Sequence, residues 1–188
     1  MDKKNKQFFT LPNTLSLFRI TLIPLFIYDY HYLGAPIHGC IILLISGFTD
    51  ILDGYIARRF DMTSDLGKIL DPVADKLTQA VTLFCLTEKH PLMMLPLFIM
   101  LIKESLCAAL CFLAIKKSGQ VQSSDWHGKL NTAVLYAIFV VHLIWTDIPN
   151  AFSFSLILIS CIIMLFSFAL YFLANISVLI GAKKNAER

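Results

Sequence analysis

The chain has 188 residues, 57% hydrophobic and 15% charged, where about 25% charged is usual for a soluble domain. A mean hydropathy of +0.70 excludes a soluble globular protein, and a net charge of only +3 argues against a nucleic-acid partner. A spanning helix needs about 20 mainly apolar residues, so the length allows some six or seven spans and no separate soluble domain.

In chain order the sequence opens with a polar, basic segment, residues 1–12, expected to lie in the cytoplasm or at the interface. Apolar runs then fall at about 13–33, 36–58, 66–87, 91–115, 130–147 and 151–182. The expected fold is all-α, one integral-membrane domain over residues 1–188 with six transmembrane helices. Asn13, after Pro12, is placed to cap the first span, and Ser64 or Asp65 the third. The last run exceeds a bilayer's thickness, so it is expected to tilt or to continue past Asn175. No small-residue cleavage site follows the first run, which is therefore expected to stay as a span.

Six spans put both termini on one side. That side carries Lys3, Lys4, Lys6, Arg58, Arg59, Lys68, Lys116, Lys117, Lys129, Lys183, Lys184 and Arg188, whereas the opposite loops offer only Lys89. Retention of basic residues in the cytoplasm then predicts both termini cytoplasmic, in a plasma membrane. Cys40, Cys85, Cys107, Cys111 and Cys161 all lie within apolar runs and read as small packing residues. The five histidines read as interfacial or packing residues, with His127 in a loop at the cytoplasmic mouth.

The charges are not spread evenly. Between Asp50 and Lys76 lie ten of the chain's 29 charges. Asp50 and Asp53 belong to the end of the second run, Asp71 and Asp75 to the start of the third. At helical rise both pairs lie roughly 9–15 Å in from the cytoplasmic ends of their helices. Spacings of three and four keep each pair on one face, so two antiparallel helices joined by a short loop would bring all four carboxylates together. An isolated carboxylate at that depth costs several kcal/mol, so four require water, cationic partners or metal. An all-oxygen set favours Mg²⁺, Mn²⁺ or Ca²⁺, and a pair of such ions suits displacement at phosphorus. Internal ion pairing with Arg58, Lys68 and Lys76 is the simpler alternative. Gly54 and Gly67 would admit a ligand close to the backbone, and Arg58 is placed to hold a phosphate.

The order Asp50-x-x-Asp53-Gly54-x-x-Ala57-Arg58, eight residues, then Gly67-x-x-x-Asp71-x-x-x-Asp75 resembles the signature of the CDP-alcohol phosphatidyltransferases, with every fixed position filled. The resemblance implies transfer of a phosphatidyl group from CDP-diacylglycerol to an alcohol with release of CMP. It also implies an active site between the second and third helices near the cytoplasmic face, and a possible homodimer. Carried over by position, Asp50, Asp53, Asp71 and Asp75 would hold two divalent cations, Mg²⁺ or Mn²⁺, with Asp75 also the catalytic general base. Gly54, Ala57, Arg58 and Gly67 would line the pocket for the cytidine diphosphate group.

The run Leu70-Asp71-Pro72-Val73-Ala74-Asp75-Lys76 resembles the branch of the family that accepts glycerol 3-phosphate, and also cardiolipin synthases of the same fold. The opening Pro12-Asn13…Arg19 and the stretch Gly128-Lys129-x-x-Thr132 resemble the glycerophosphate branch too. A small phosphorylated acceptor needs a cationic pocket, for which Arg19, Lys76 and Lys103 are the candidates. Arg19 lies at the depth of the acids, so it pairs an Asp or meets substrate phosphate; Lys103 either serves the acceptor or pairs with Glu104. That branch usually has Arg-Glu and a further Arg in the fourth span, whereas this chain has Lys103-Glu104 followed by no further charged residue through Ala114. Phosphatidylglycerol, the acceptor in cardiolipin synthesis, therefore remains a second expectation. Outside enzymes, a small cation transporter or channel would also place acids at one depth, although no repeat symmetry supports it.

Overall fold

A computed structural model describes residues 10–34, 36–60, 67–118 and 126–186. Among these residues the chain is helical with no strand, in agreement with the all-α expectation. Six α-helices follow one another: α1 Leu11–Tyr28, α2 Pro36–Arg59, α3 Gly67–Leu86, α4 Met94–Ser118, α5 Trp126–Ile144 and α6 Asn150–Ala186. A π-helical turn, Asp29–Leu33, extends α1, and a 3₁₀ turn, Pro91–Met93, precedes α4. Four segments are long and apolar enough to cross a membrane: Leu11–Leu33, Pro36–Ile56, Pro91–Phe112 and Asn150–Ile176. Gly128–Ile144 is apolar but shorter, and α3 has the length but carries Lys68, Asp71, Asp75 and Lys76.

By internal contacts the chain divides into two units, Met1–Leu86 with Phe139–Asp147, and Thr87–Ile138 with Ile148–Arg188. In the first, α1 packs against both α2 and α3. The cap of α1 is Thr10, not Asn13: its backbone is extended and its Oγ1 accepts the Asn13 N–H at 3.4 Å. Pro12 occupies the first turn, where no intrahelical donor is needed. Asn13 is instead buried within that turn. The alternative caps of the third helix, Ser64 and Asp65, lie outside the described residues. Pro24 removes one backbone donor from α1, and the helix widens into its π-turn a few residues later. Gly34 ends it with φ of 58° and donates its N–H to the Asp29 carbonyl at 3.1 Å, a left-handed stop that disfavours any side chain. At Gly39 of α2, an added Cβ would stand 3.2 Å from Cε2 of buried Phe26, so the missing side chain is what lets α2 approach α1.

Polarity in this unit runs opposite to that of a water-soluble bundle. Ser46, Thr49 and Asp53 of α2 are buried while Leu44, Phe48 and Ile51 face out, Ile51 at 70% exposure. On α3, Thr78, Gln79 and Thr82 are buried while Ile69, Val73, Leu77 and Phe84 are exposed. Apolar side chains outside and polar ones inside suit hydrocarbon as the surroundings.

In the second unit α4 packs along α6. The buried side of α6 repeats Ser153, Ser160 and Ser167 with Ile157, Cys161 and Met164 between them; the buried side of α4 carries Met93 just before the helix, then Leu97, Met100 and Lys103. A seven-residue recurrence of small residues allows close helix approach. None of the five cysteines forms a disulfide among the described residues.

Candidate active site

The motif residues of α2 and α3 meet on a side chain from α1. Arg19 is 1% exposed. Its Nη1 donates to Asp50 Oδ1 at 2.5 Å, and its Nη2 donates to Asp53 Oδ2 at 2.6 Å and to Asp71 Oδ1. One ligand oxygen from each of Asp50, Asp53 and Asp71 falls within 4.8 Å of the others. The Asp53 side chain is 3% exposed whereas those of Asp50 and Asp71 are 39% and 42% exposed, so the cluster is closed on one side and open on the other.

Helical periodicity explains the convergence. Asp50 and Asp53 stand three residues apart on α2 and share a face with Ser46. Ser16 and Arg19 stand three apart on α1, and the Ser16 hydroxyl, 3.2 Å from the Pro12 carbonyl, also lies 3.5 Å from Asp71 Oδ1 and 3.4 Å from Arg19 Nη2. The expectation of two helices facing each other therefore becomes three, with α1 supplying the centre. Of the two roles open to Arg19, the structure displays pairing with the acids.

Asp75 lies one turn beyond Asp71 and is not part of the three-carboxylate group. Its Oδ2 accepts from Gln79 Nε2 at 2.9 Å and has Lys76 Nζ at 3.8 Å. It stays within electrostatic range of Asp50, Asp71 and Arg19. Gly54 follows Asp53 directly on α2, and Gly67 is the first residue of α3. Ala57 and Arg58 belong to α2, but their side chains, like those of Lys68 and His127, lie outside the described residues. In the other unit, buried Lys103 reaches Glu104 Oε1 through Nζ at 3.0 Å, the pairing anticipated as an alternative to an acceptor role.

Two polar partners escaped the sequence reading. Ser16 touches both Arg19 and Asp71, and Gln79, fully buried, holds Asp75. Each stands three or four residues from a recognised charge, which is the spacing that could have found them.

The donor set fits a hard divalent cation. Three carboxylates from two helices offer only oxygen, close together, with no His or Cys in the group. Arg19 already marks the place as one that attracts positive charge.

Comparison with known proteins agrees with the motif. The family model described as CDP-alcohol phosphatidyltransferase matches residues 9–180. A CDP-diacylglycerol–glycerol-3-phosphate 3-phosphatidyltransferase of Pectobacterium atrosepticum is 36% identical over 144 residues, 73% of this chain and 78% of the relative. One of the same name from Yersinia enterocolitica is 33% identical over 169 residues, 86% and 92% of the two chains. A cardiolipin synthase (CMP-forming)/mitochondrial hydrolase fusion protein of Schizosaccharomyces pombe is 44% identical over 93 residues, which cover 48% of this chain and 16% of that protein.

Proposed function

The chain belongs to the CDP-alcohol phosphatidyltransferase family, and from that premise we propose that it transfers the phosphatidyl group of CDP-diacylglycerol to glycerol 3-phosphate, giving phosphatidylglycerophosphate and CMP. Membership of a transferase family replaces the transporter or channel expectation. The observation that carries the reading is the meeting of Asp50, Asp53 and Asp71 from two helices in the order the family motif requires. The names of relatives that cover most of this chain support glycerol 3-phosphate as acceptor.

Asp50, Asp53, Asp71 and Asp75 would hold two divalent cations, Mg²⁺ or Mn²⁺, which supply charge neutralisation at the transferring phosphate. Asp75 stands beside the cluster with one oxygen engaged by Gln79, which fixes the carboxylate's orientation. In the proposed step it takes the proton of the acceptor hydroxyl. The hydroxyl oxygen bonds to the phosphatidyl phosphorus, and the bond to the bridging oxygen breaks with CMP leaving on that oxygen's electron pair. Gly54, Ala57, Arg58 and Gly67 would receive the cytidine diphosphate group, and Lys76 the acceptor phosphate. The open side at Asp50 and Asp71 is the side from which both substrates would arrive.

The wider architecture we propose is six spans, counting α3 and α5, in one catalytic domain with both termini cytoplasmic. Burial of the α3 hydroxyls beneath an apolar exterior supports α3 as a span despite its charges.

One acceptor assay tests the reading. Purified protein with CDP-diacylglycerol and Mg²⁺ or Mn²⁺ should release CMP when given glycerol 3-phosphate, and markedly less with phosphatidylglycerol, serine or inositol phosphate. Preference for phosphatidylglycerol would favour cardiolipin synthesis, the reading supported by the fission-yeast relative and by the uncharged stretch after Lys103-Glu104. No CMP release with any acceptor would reject both.

A further inference from the structure

Arg19 occupies the space that the carboxylates would offer to metal. Its two terminal nitrogens serve Asp50, Asp53 and Asp71, while Nε of the same guanidinium is buried without a hydrogen-bond partner. A guanidinium in a settled ion-pair role normally has its whole fork of donors satisfied, because a buried orphan donor gives up its hydrogen bond to water and gains none in return. Here three acids crowd one end of the fork and none meets the other. Arg19 also borders a small, partly open cleft between α1, α2 and α3, whose walls include Ser46, Thr78 and Thr82 among apolar side chains. Ser46 Oγ in that wall is a second buried polar atom without a partner.

Charge sets the direction of movement. Three carboxylates and one guanidinium leave the cluster negative, which attracts a divalent cation. Once cations are bound, the carboxylates are neutralised and the guanidinium is held against metal charge. We propose that Arg19 is a resident counter-ion displaced by divalent metal: in the metal-free protein it holds the three carboxylates together, and metal entry drives it off them. Its positive charge then lacks an anion at depth, and a substrate phosphate is the anion that the reaction reading supplies. Metal loading would thus precede and favour phosphate binding. This last link rests on the proposed transfer reaction; the exchange itself rests only on the geometry.

Mn²⁺ binding to purified full-length protein, followed by electron paramagnetic resonance without lipid or nucleotide, tests the exchange. Arg19→Gln removes the competitor, so Mn²⁺ should bind roughly ten- to a hundredfold more tightly than in wild type, the usual span of coupling between linked sites. The metal-free variant should melt lower than wild type, with Mn²⁺ abolishing most of the gap. Arg19→Lys, which keeps the charge but not the fork, should fall between the two. Unchanged or weaker Mn²⁺ binding in folded Arg19→Gln would overturn the proposal, since a purely structural or purely phosphate-binding arginine does not oppose metal. A structure of the Mn²⁺-loaded wild-type protein decides without any variant: Arg19 still bonded to Asp50, Asp53 and Asp71 beside bound metal refutes the exchange, and Arg19 withdrawn from them supports it. Mn²⁺ binding indifferent to Asp53→Asn would reject both the metal site and the exchange. Intact exchange with no CMP release would reject the transfer reaction alone.

Discussion

The α1–α3 group and the α4–α6 pair are both built from apolar helices, yet they bury different kinds of polar group. In the pair, the buried polar residues of α6 are Ser153, Ser160, Ser167 and Asn175, and Ser160 donates its hydroxyl to the Ile157 carbonyl of its own helix at 2.7 Å. A hydroxyl satisfied in that way needs nothing from a neighbouring helix, so it serves close packing. In the α1–α3 group hydroxyls such as those of Thr78 and Thr82 are also satisfied on their own helix, but charges are buried beside them, and Arg19 on one helix finds its partners on two others. A charge cannot be satisfied locally in this way, so its burial commits three helices to one arrangement. Hydroxyls permit a membrane fold, whereas charges specify one point in it. Lys103 tests the contrast from within the pair: although buried, it meets its sequence neighbour Glu104 and ties no other helix in place through that contact.

The contrast can be broken in a graded series. Asp53→Asn removes the most buried acid of the cluster, and phosphatidyl transfer, followed as CMP release, should fall to background while the protein still folds. Asp75→Asn should lower turnover by about 10²–10⁴-fold, the range for loss of a general base, and largely spare CDP-diacylglycerol binding. Near-normal turnover in that variant would remove Asp75 from the proton-transfer role. For stability, Arg19→Gln in the absence of metal should cost about 3–5 kcal/mol in a reversible denaturation assay in detergent, the cost of leaving buried charges unpaired. Gly39→Ala should cost about 1 kcal/mol in the same assay, because the new methyl group presses on a Phe26 ring that is 2% exposed and cannot swing away. Ser160→Ala should change stability by no more than about 0.5 kcal/mol, since its hydroxyl bonds only its own helix among the contacts described. A Ser160→Ala effect as large as that of Arg19→Gln would erase the distinction between the two regions.

Much of this was legible beforehand, for identifiable reasons. The all-helical class follows from long apolar runs, and the acids stood out because so few charges occur elsewhere. Spacings of three and four put Asp50 with Asp53 on one face by helix geometry alone. Thr10 was missed as the α1 cap because Asn13 after Pro12 offered an equally good local signal, and only the backbone angles distinguish them. Ser16 and Gln79 were missed because nothing in an uncharged side chain announces which charge it will touch.

By itself the sequence determined the family and the all-helical class of fold and singled out Asp50, Asp53, Asp71 and Asp75 as candidates, since these depend on composition, period and the order of a motif along one chain. The tertiary structure alone decided that α1 stands at the centre of the acidic cluster, that Arg19 bridges Asp50, Asp53 and Asp71, and that Asp75 turns to Gln79 instead of joining them. The physical reason is that a helix's own periodicity fixes which residues share its face, whereas the partner of a buried charge is chosen by whichever opposite charge packing brings within hydrogen-bond reach.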